Sequence, residues 1–264
     1  MDQSNHGRGE HPLRRVAAPV GTALLIAAVA AVAAGGASPV LAVNGGACKA
    51  PYDVTIAPSD FADASGNPNA IDNPYFPLTP GTTWTYTGEK EGAPLVDVMT
   101  VTADTRTIMG VTVRVVRDTA WHDGFVAEDT FDWYAQDDAG NVWYFGEDTR
   151  ELDEAGNVVS TQGSWEAGQG DNLPGILMKA QPASGKTQRQ EFAPDVAVDM
   201  ATVLSVHRHI TVPAARYGNV VLTKEYSCLE KGVDHKWYAP GVGLVAELAL
   251  ANGQEFIKLV SVTH

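Results

Sequence analysis

Cysteine is scarce in this chain: its 264 residues contain two, Cys48 and Cys228. That argues against a metal site built on thiolates, which needs further soft ligands. Positive charge is also in short supply, with 18 Lys and Arg against 32 Asp and Glu. Residues 1–42 hold Arg8, Arg14, Arg15, Asp2 and Glu10, so the chain beyond Ala42 carries 15 basic and 30 acidic residues, a net charge of −15. Repulsion from phosphate excludes nucleic acid as a natural partner and disfavours anionic membrane surfaces. Catalytic signatures are missing as well. There is no G-x-S-x-G elbow, no P-loop and no H-E-x-x-H. Gly241-Val242-Gly243 lacks the remaining glycine spacing of a nucleotide fingerprint and reads as a turn. The Asp-rich turn after Asp137 lacks the alternating ligands and closing Glu of a calcium loop. Nothing in the chain calls for a cofactor.

One apolar run stands out, residues 20–34. At about 15 residues it is short of the ~20 that span a bilayer as a helix. Arg14 and Arg15 precede it, and Ser38-Pro39-Val40-Leu41-Ala42 follows with small residues suited to cleavage after Ala42. Residues 1–42 therefore read as a secretory signal peptide, and the mature protein is expected in the periplasm, the envelope or the medium, with no stable membrane span. Retention of the leader as an anchor and lipidation of Cys48 are the alternatives, the latter with Gly45 where a lipobox has an aliphatic residue. Outside the cytoplasm Cys48 and Cys228 can pair, or persist as thiols.

Residues 43–73, rich in Gly, Ala, Asp, Asn and Pro, read as a flexible N-terminal arm or linker. Residues 74–264 form a β domain. Pro74, Pro77 and Pro80 stiffen its entrance, with Tyr75, Phe76 and Leu78 as apolar anchors. From residue 82 strand and turn signals alternate, with strands expected over 82–89, 95–102, 111–118, 125–135, 142–147 and 158–163. Asp123-Gly124 and Met109-Gly110 mark turns, and DDAGN at 137–141 and DEAGN at 153–157 suggest one hairpin geometry used twice. Residues 169–182, broken by Gly170, Pro174, Gly175 and Pro182, read as an irregular rim or lid. Strands resume over 186–192, 202–212, 220–228, 235–238, 244–250 and 255–263, with one short helical turn expected within 195–203. About twelve strands are too many for a flat sheet. The expected fold is all-β: a single large antiparallel meander curled into a barrel or half-barrel.

Residues 128–147, EDTFDWYAQDDAGNVWYFGE, concentrate aromatic and acidic side chains. Alternation sets Glu128, Thr130, Asp132 and Tyr134 on one strand face and Phe131 and Trp133 on the other. On the next strand it groups Trp143, Phe145 and Glu147 against Tyr144. These aromatics supply core or line a pocket. Glu128 and Asp132, four apart on a strand, stand about 13 Å apart, too far to attack one glycosidic bond together. Glu147 or Glu166 can approach from neighbouring strands, or the acids can meet Arg114, Arg117 or Lys224 across the sheet. His207 and His209 share one strand face, a spacing that serves zinc or copper only with a third ligand.

NPYFPLTPGTTWTY at 73–86, EDTFDWYAQDDAGNVWYFGED at 128–148 and KWYAPGVGLVAEL at 236–248, with GSWEAG and LTKEYS between them, resemble a broadly distributed family of secreted bacterial proteins of unassigned function. The resemblance implies export and a shared β fold and brings no catalytic residues. PLTPGTTWTY and YAPGVGLV are also similar, at the level of fold, to half-barrels of the lipoprotein-carrier type. The resulting expectation is an exported, non-catalytic barrel that binds a small or lipidic ligand in an aromatic-lined concavity. Glu128, Asp132, Trp133, Tyr134, Trp143, Tyr144, Glu147 and Glu166 are its candidate site residues. A secreted hydrolase using Glu or Asp, and an envelope-associated structural protein without a small ligand, are the alternatives.

Overall fold

The computed structural model describes residues 45–61, 71–250 and 255–264. The leader lies outside the described residues. Fifteen strands form one sheet. The first half comprises β1 (Thr83–Lys90), β2 (Ala93–Ile108), β3 (Val111–His122), β4 (Phe125–Gln136), β5 (Val142–Leu152), β6 (Val158–Ser160), β7 (Trp165–Glu166) and β8 (Leu173–Met178). The second comprises β9 (Thr187–Arg189), β10 (Glu191–Phe192), β11 (Asp199–Thr211), β12 (Arg216–Ser227), β13 (Asp234–Ala239), β14 (Gly243–Ala249) and β15 (Glu255–Thr263).

Each half is an antiparallel meander, and β1 joins them by pairing with both β2 and β15. The order along the sheet is β10-β8-β5-β4-β3-β2-β1-β15-β14-β13-β12-β11-β9, with β6 and β7 alongside β5. The two ends of this series are consecutive in sequence. Arg189 of β9 pairs with Met200 of β11, whereas Glu191 of β10 pairs with Pro174 of β8. A single segment thus leaves one wall and enters the other at Gln190, and the sheet is nearly closed into a barrel.

Local chemistry explains the hairpins. Glu91-Gly92, Met109-Gly110 and Asp123-Gly124 all adopt positive φ at both positions, the conformation of two-residue turns whose twist matches the strands. The DDAGN and DEAGN segments are the same device twice. Asp137 Oδ1 accepts from Asn141 N at 2.8 Å and Asp153 Oδ1 from Asn157 N at 2.8 Å, while each glycine N–H reaches back to the aspartate carbonyl.

Two expectations are revised. The irregular stretch 169–182 contains β8, which pairs with β5 through Val142↔Met178, Trp143↔Ile176 and Tyr144↔Gly175. Gly175 is required there because a Cβ would collide with the Gln190 carbonyl. The helical turn is confined to Ala193–Ala197, where Ala197 N donates to Ala193 O at 2.9 Å, and a strand begins at Asp199.

The arm is pinned to the barrel. It holds a short helix, Gly45–Lys49, and a 3-10 turn, Pro58–Phe61. Phe61, Ile71 and Asn73 are buried. Cys48 is bonded to Cys228, so its sulfur is not available for a lipid.

Candidate functional site

The inner face carries a set of buried acids among apolar and tyrosine side chains. Asp97 of β2, Asp118 of β3, Glu128 and Asp132 of β4, Glu147 of β5, Glu191 of β10, Asp199 of β11, Glu225 of β12 and Glu247 of β14 are all buried. Register brings them into a belt: Tyr86 opposes Asp97, Thr130 opposes Asp118, Asp132 opposes Glu147, and Lys236 opposes Glu247. The belt surrounds a common interior, since charges on the first half act on the second. Lys236 of β13 is felt by both Asp118 and Asp132, and Glu247 by Asp97.

Glu147 reaches this belt through a bulge. Between Asp132↔Glu147 and Tyr134↔Tyr144 the register slips, with Gly146 at φ 121°. Glu147 therefore joins Tyr144, where simple alternation groups it with Trp143. Phe61 packs edge-on to both Trp143 and Phe145, at 6.1 and 5.7 Å between ring centroids, on the opposite face. Trp133 lies on that face too, under the Arg106 guanidinium at 4.0 Å, and Arg106 pairs with Glu166 at 2.8 Å.

The candidate residues thus divide. Glu128, Asp132, Tyr134, Tyr144 and Glu147 face the interior; Trp133, Trp143 and Glu166 do not. Among the basic residues expected to meet the acids, Arg117 takes Asp129 at 2.7 Å on the outer face and leaves Glu128 and Asp132 to the inside. Sequence reasoning missed Asp97, Asp118, Glu191, Asp199, Glu225, Lys236 and Glu247. Asp97 shares its strand face with Leu95, Met99 and Val101, and Asp118 with Val116 and Ala120, so alternation marks those faces as apolar core and a single acid on them gives no signal of its own.

Three hydrogen-bonded groups are distinguishable. In the first, Tyr144 Oη donates to Asp132 Oδ1 at 2.6 Å and lies 3.2 Å from Glu147 Oε2. The Tyr144 hydroxyl is the donor in both contacts and is directed mainly at the shorter one. Tyr134 stacks on Tyr144 at 4.9 Å, Trp165 stands edge-on to Tyr144 at 5.7 Å, and Trp165 Nε1 donates to Glu191 Oε2 at 2.9 Å. In the second, Asp97 and Asp118 are buried close together, and after burial it is the charge of Asp97 that raises Asp118 furthest. Close by, Glu128 Oε1 accepts from Thr130 at 3.0 Å. In the third, Lys236 Nζ lies 3.4 Å from Glu225 and 3.6 Å from Glu247, while Tyr238 Oη donates to Glu225 at 3.0 Å.

Removal from water disfavours each ionised carboxylate, and neighbouring acids add to the effect. Burial pushes Asp97 up to about 7, Glu128 to about 8 and Asp132 to about 8. Burial, then Glu191 and Asp132, raise Glu147 well above the usual range. Burial opposes the charge on Lys236, but Glu247, Glu225 and Asp234 outweigh it and hold the ammonium protonated. Near neutral pH the belt is a set of carboxyls sharing protons. Asp132 Oδ2 and Tyr134 Oη, both fully buried, have no protein hydrogen-bond partner.

Other candidates do not converge. His207 and His209 are exposed on β11. Among the described residues no three His, Cys, Asp or Glu are arranged to hold a metal ion, and no helix is long and apolar enough to cross a membrane.

No family model matches this chain, and no curated protein matches it. Two solved structures are similar to it. One is a Bacteroides fragilis protein with a YmcC-like fold, inferred to be exported: 14% identity, TM-score 0.42, covering 72% of this chain and 99% of that one. The other is an inferred lipoprotein of Parabacteroides distasonis: 14% identity, TM-score 0.35, covering 72% and 98%.

Proposed function

We propose that this is an exported, non-catalytic binding barrel whose interior takes a small polar ligand carrying positive charge, such as an organic amine. The observation that carries the reading is the group formed by Asp132, Tyr134, Tyr144 and Glu147. Its Asp132 Oδ2 and Tyr134 Oη are buried without a protein partner. Leaving such atoms unsatisfied costs about 1–3 kcal/mol each, so an acyl chain laid against them is a poor occupant. An ammonium group donates to the carboxylate, interacts with the tyrosine faces, and offsets repulsion between the acids. Export is supported by the leader and by a disulfide of the kind that persists in oxidising compartments.

Calorimetry on the oxidised protein tests this with a set of alkyl mono- and diamines, against fatty acids and a lipophilic fluorophore. Saturable amine binding, tighter at pH 8 than at pH 6 and weakened at least tenfold by Glu147→Gln, is the expected result. Saturable binding of the fluorophore or a fatty acid, without amine binding, would overturn it.

A further inference from the structure

The sheet meets its own end at a seam between β8 and the consecutive strands β9 and β10. On the β8 side the backbone ladder is short: β10 pairs with β8 only through Glu191 and Phe192, whereas the pairing of β9 with β11 runs on from Lys186, whose O accepts from Val203 N at 2.9 Å, to Gln190, whose N donates to Asp199 O at 2.8 Å. Facing β9, the β8 carbonyls of Ile176 and Leu177 accept from the Gln188 side-chain amide, at 3.0 and 2.8 Å, in place of a neighbouring strand. Behind the seam stand Glu191 and Asp199, two buried acids of the inner belt.

The N-terminal arm crosses this line on the outside. At one end Cys48 is bonded to Cys228, just past β12, and Cys228 N donates to Val198 O at 2.7 Å. Over the β9 side, Arg189 donates to the Ala47 carbonyl at 3.3 Å. At the other end Tyr52 Oη donates to the Pro174 carbonyl of β8 at 2.8 Å, and its ring packs on Phe192 of β10 at 5.4 Å. The Arg189 guanidinium sits over both rings, at 5.2 and 5.1 Å. The arm therefore holds both walls, and one covalent bond between two half-buried cysteines anchors it.

We propose that residues 47–52 are a clasp across the seam, and that reduction of Cys48–Cys228 releases it and opens the way between β8 and β9–β10 into the acidic interior. The step is a thiol–disulfide exchange. A dithiol gives up two electrons and two protons and becomes a disulfide, while the Cys48–Cys228 bond accepts them and becomes two thiols. In an oxidising compartment the clasp stays closed; a dithiol reductant opens it.

Hydrogen exchange read by mass spectrometry on the folded protein tests it, before and after dithiothreitol. The expected result is at least tenfold faster exchange in peptides covering 173–178 and 187–192, with 93–122 unchanged. In the oxidised Tyr52→Ala variant, which keeps the covalent bond, the same two peptides should exchange about threefold faster. The double variant Cys48→Ser, Cys228→Ser should show the reduced pattern with or without dithiothreitol. Unchanged exchange at the seam after reduction, an equal rise across the whole sheet, or no seam effect of Tyr52→Ala would each overturn the proposal.

Discussion

Replacing Asp132 by Asn should make the protein less sensitive to alkaline pH, and the size of the effect follows from its surroundings. The carboxyl titrates near 3.8 in the unfolded chain and at about 8 in the fold, because it is fully buried and close to Asp118. Between those values the folded state keeps a proton that the unfolded chain has shed, so stability falls as pH rises. The slope for one such group is up to about 1.4 kcal/mol per pH unit, or roughly 4 kcal/mol from pH 5 to pH 8. Asp118 and Glu147 compete for the same protons, which brings the expected change to about 2 kcal/mol. Asn cannot ionise, yet its Oδ1 still accepts from Tyr144, so the tyrosine bond survives. Its amide N–H groups meet the same unpartnered surroundings at every pH, which adds a constant offset. Urea unfolding of wild type and Asp132→Asn at pH 5 and pH 8 measures the difference. The variant should gain about 2 kcal/mol on wild type over that interval with an unchanged m value. A gap between the two proteins that stays constant with pH to within about 0.5 kcal/mol would refute the reasoning.

Lys236→Met leaves Glu225 and Glu247 facing each other without their cation, and should cost about 3–5 kcal/mol at pH 8. At pH 5, where Glu247 holds its proton, the loss should be smaller; thermal unfolding at the two pH values reads both. Trp165→Phe removes the donor to Glu191 and should lower stability by about 1–3 kcal/mol in urea. Gly146→Ala places a Cβ against the Trp165 carbonyl at a φ that L-residues avoid, and should cost at least about 2 kcal/mol by the same assay.

The hairpins were legible because their turns carry their own instructions. Asn141 and Asn157 lock onto the aspartate four residues earlier, and Gly110 and Gly124 supply the positive φ. Leu173–Met178 was not legible, since Pro174 and Gly175 punctuate it for reasons of tertiary contact: the close approach of Gln190 sets the glycine. Strand faces could be read as far as the ladder stayed regular. Asp132 and Tyr134 fall together by alternation, but the bulge at Gly146 moves Glu147 to the other side, and a bulge depends on both partners. The acidic interior was hidden for a deeper reason. Asp97 shares its face with Leu95 and Met99, and Glu247 with Val245, so the pattern reads as apolar core. That these acids meet across one interior depends on closure, which rests on residues 187–192 pairing with strands on both walls.

On the function proposed above, the inner carboxyls hold protons near neutrality and yield them to a bound cation. Carbon-13 NMR of the side-chain carboxyls, titrated from pH 3 to pH 10 with and without a saturating alkyl diamine, addresses it directly. The account predicts midpoints of about 7 for Asp97 and about 8 for Glu128 and Asp132 in the free protein. That of Asp132 should fall by at least one pH unit when the amine is bound. Midpoints near 4 for all three in the free protein, unmoved by the amine, would contradict it.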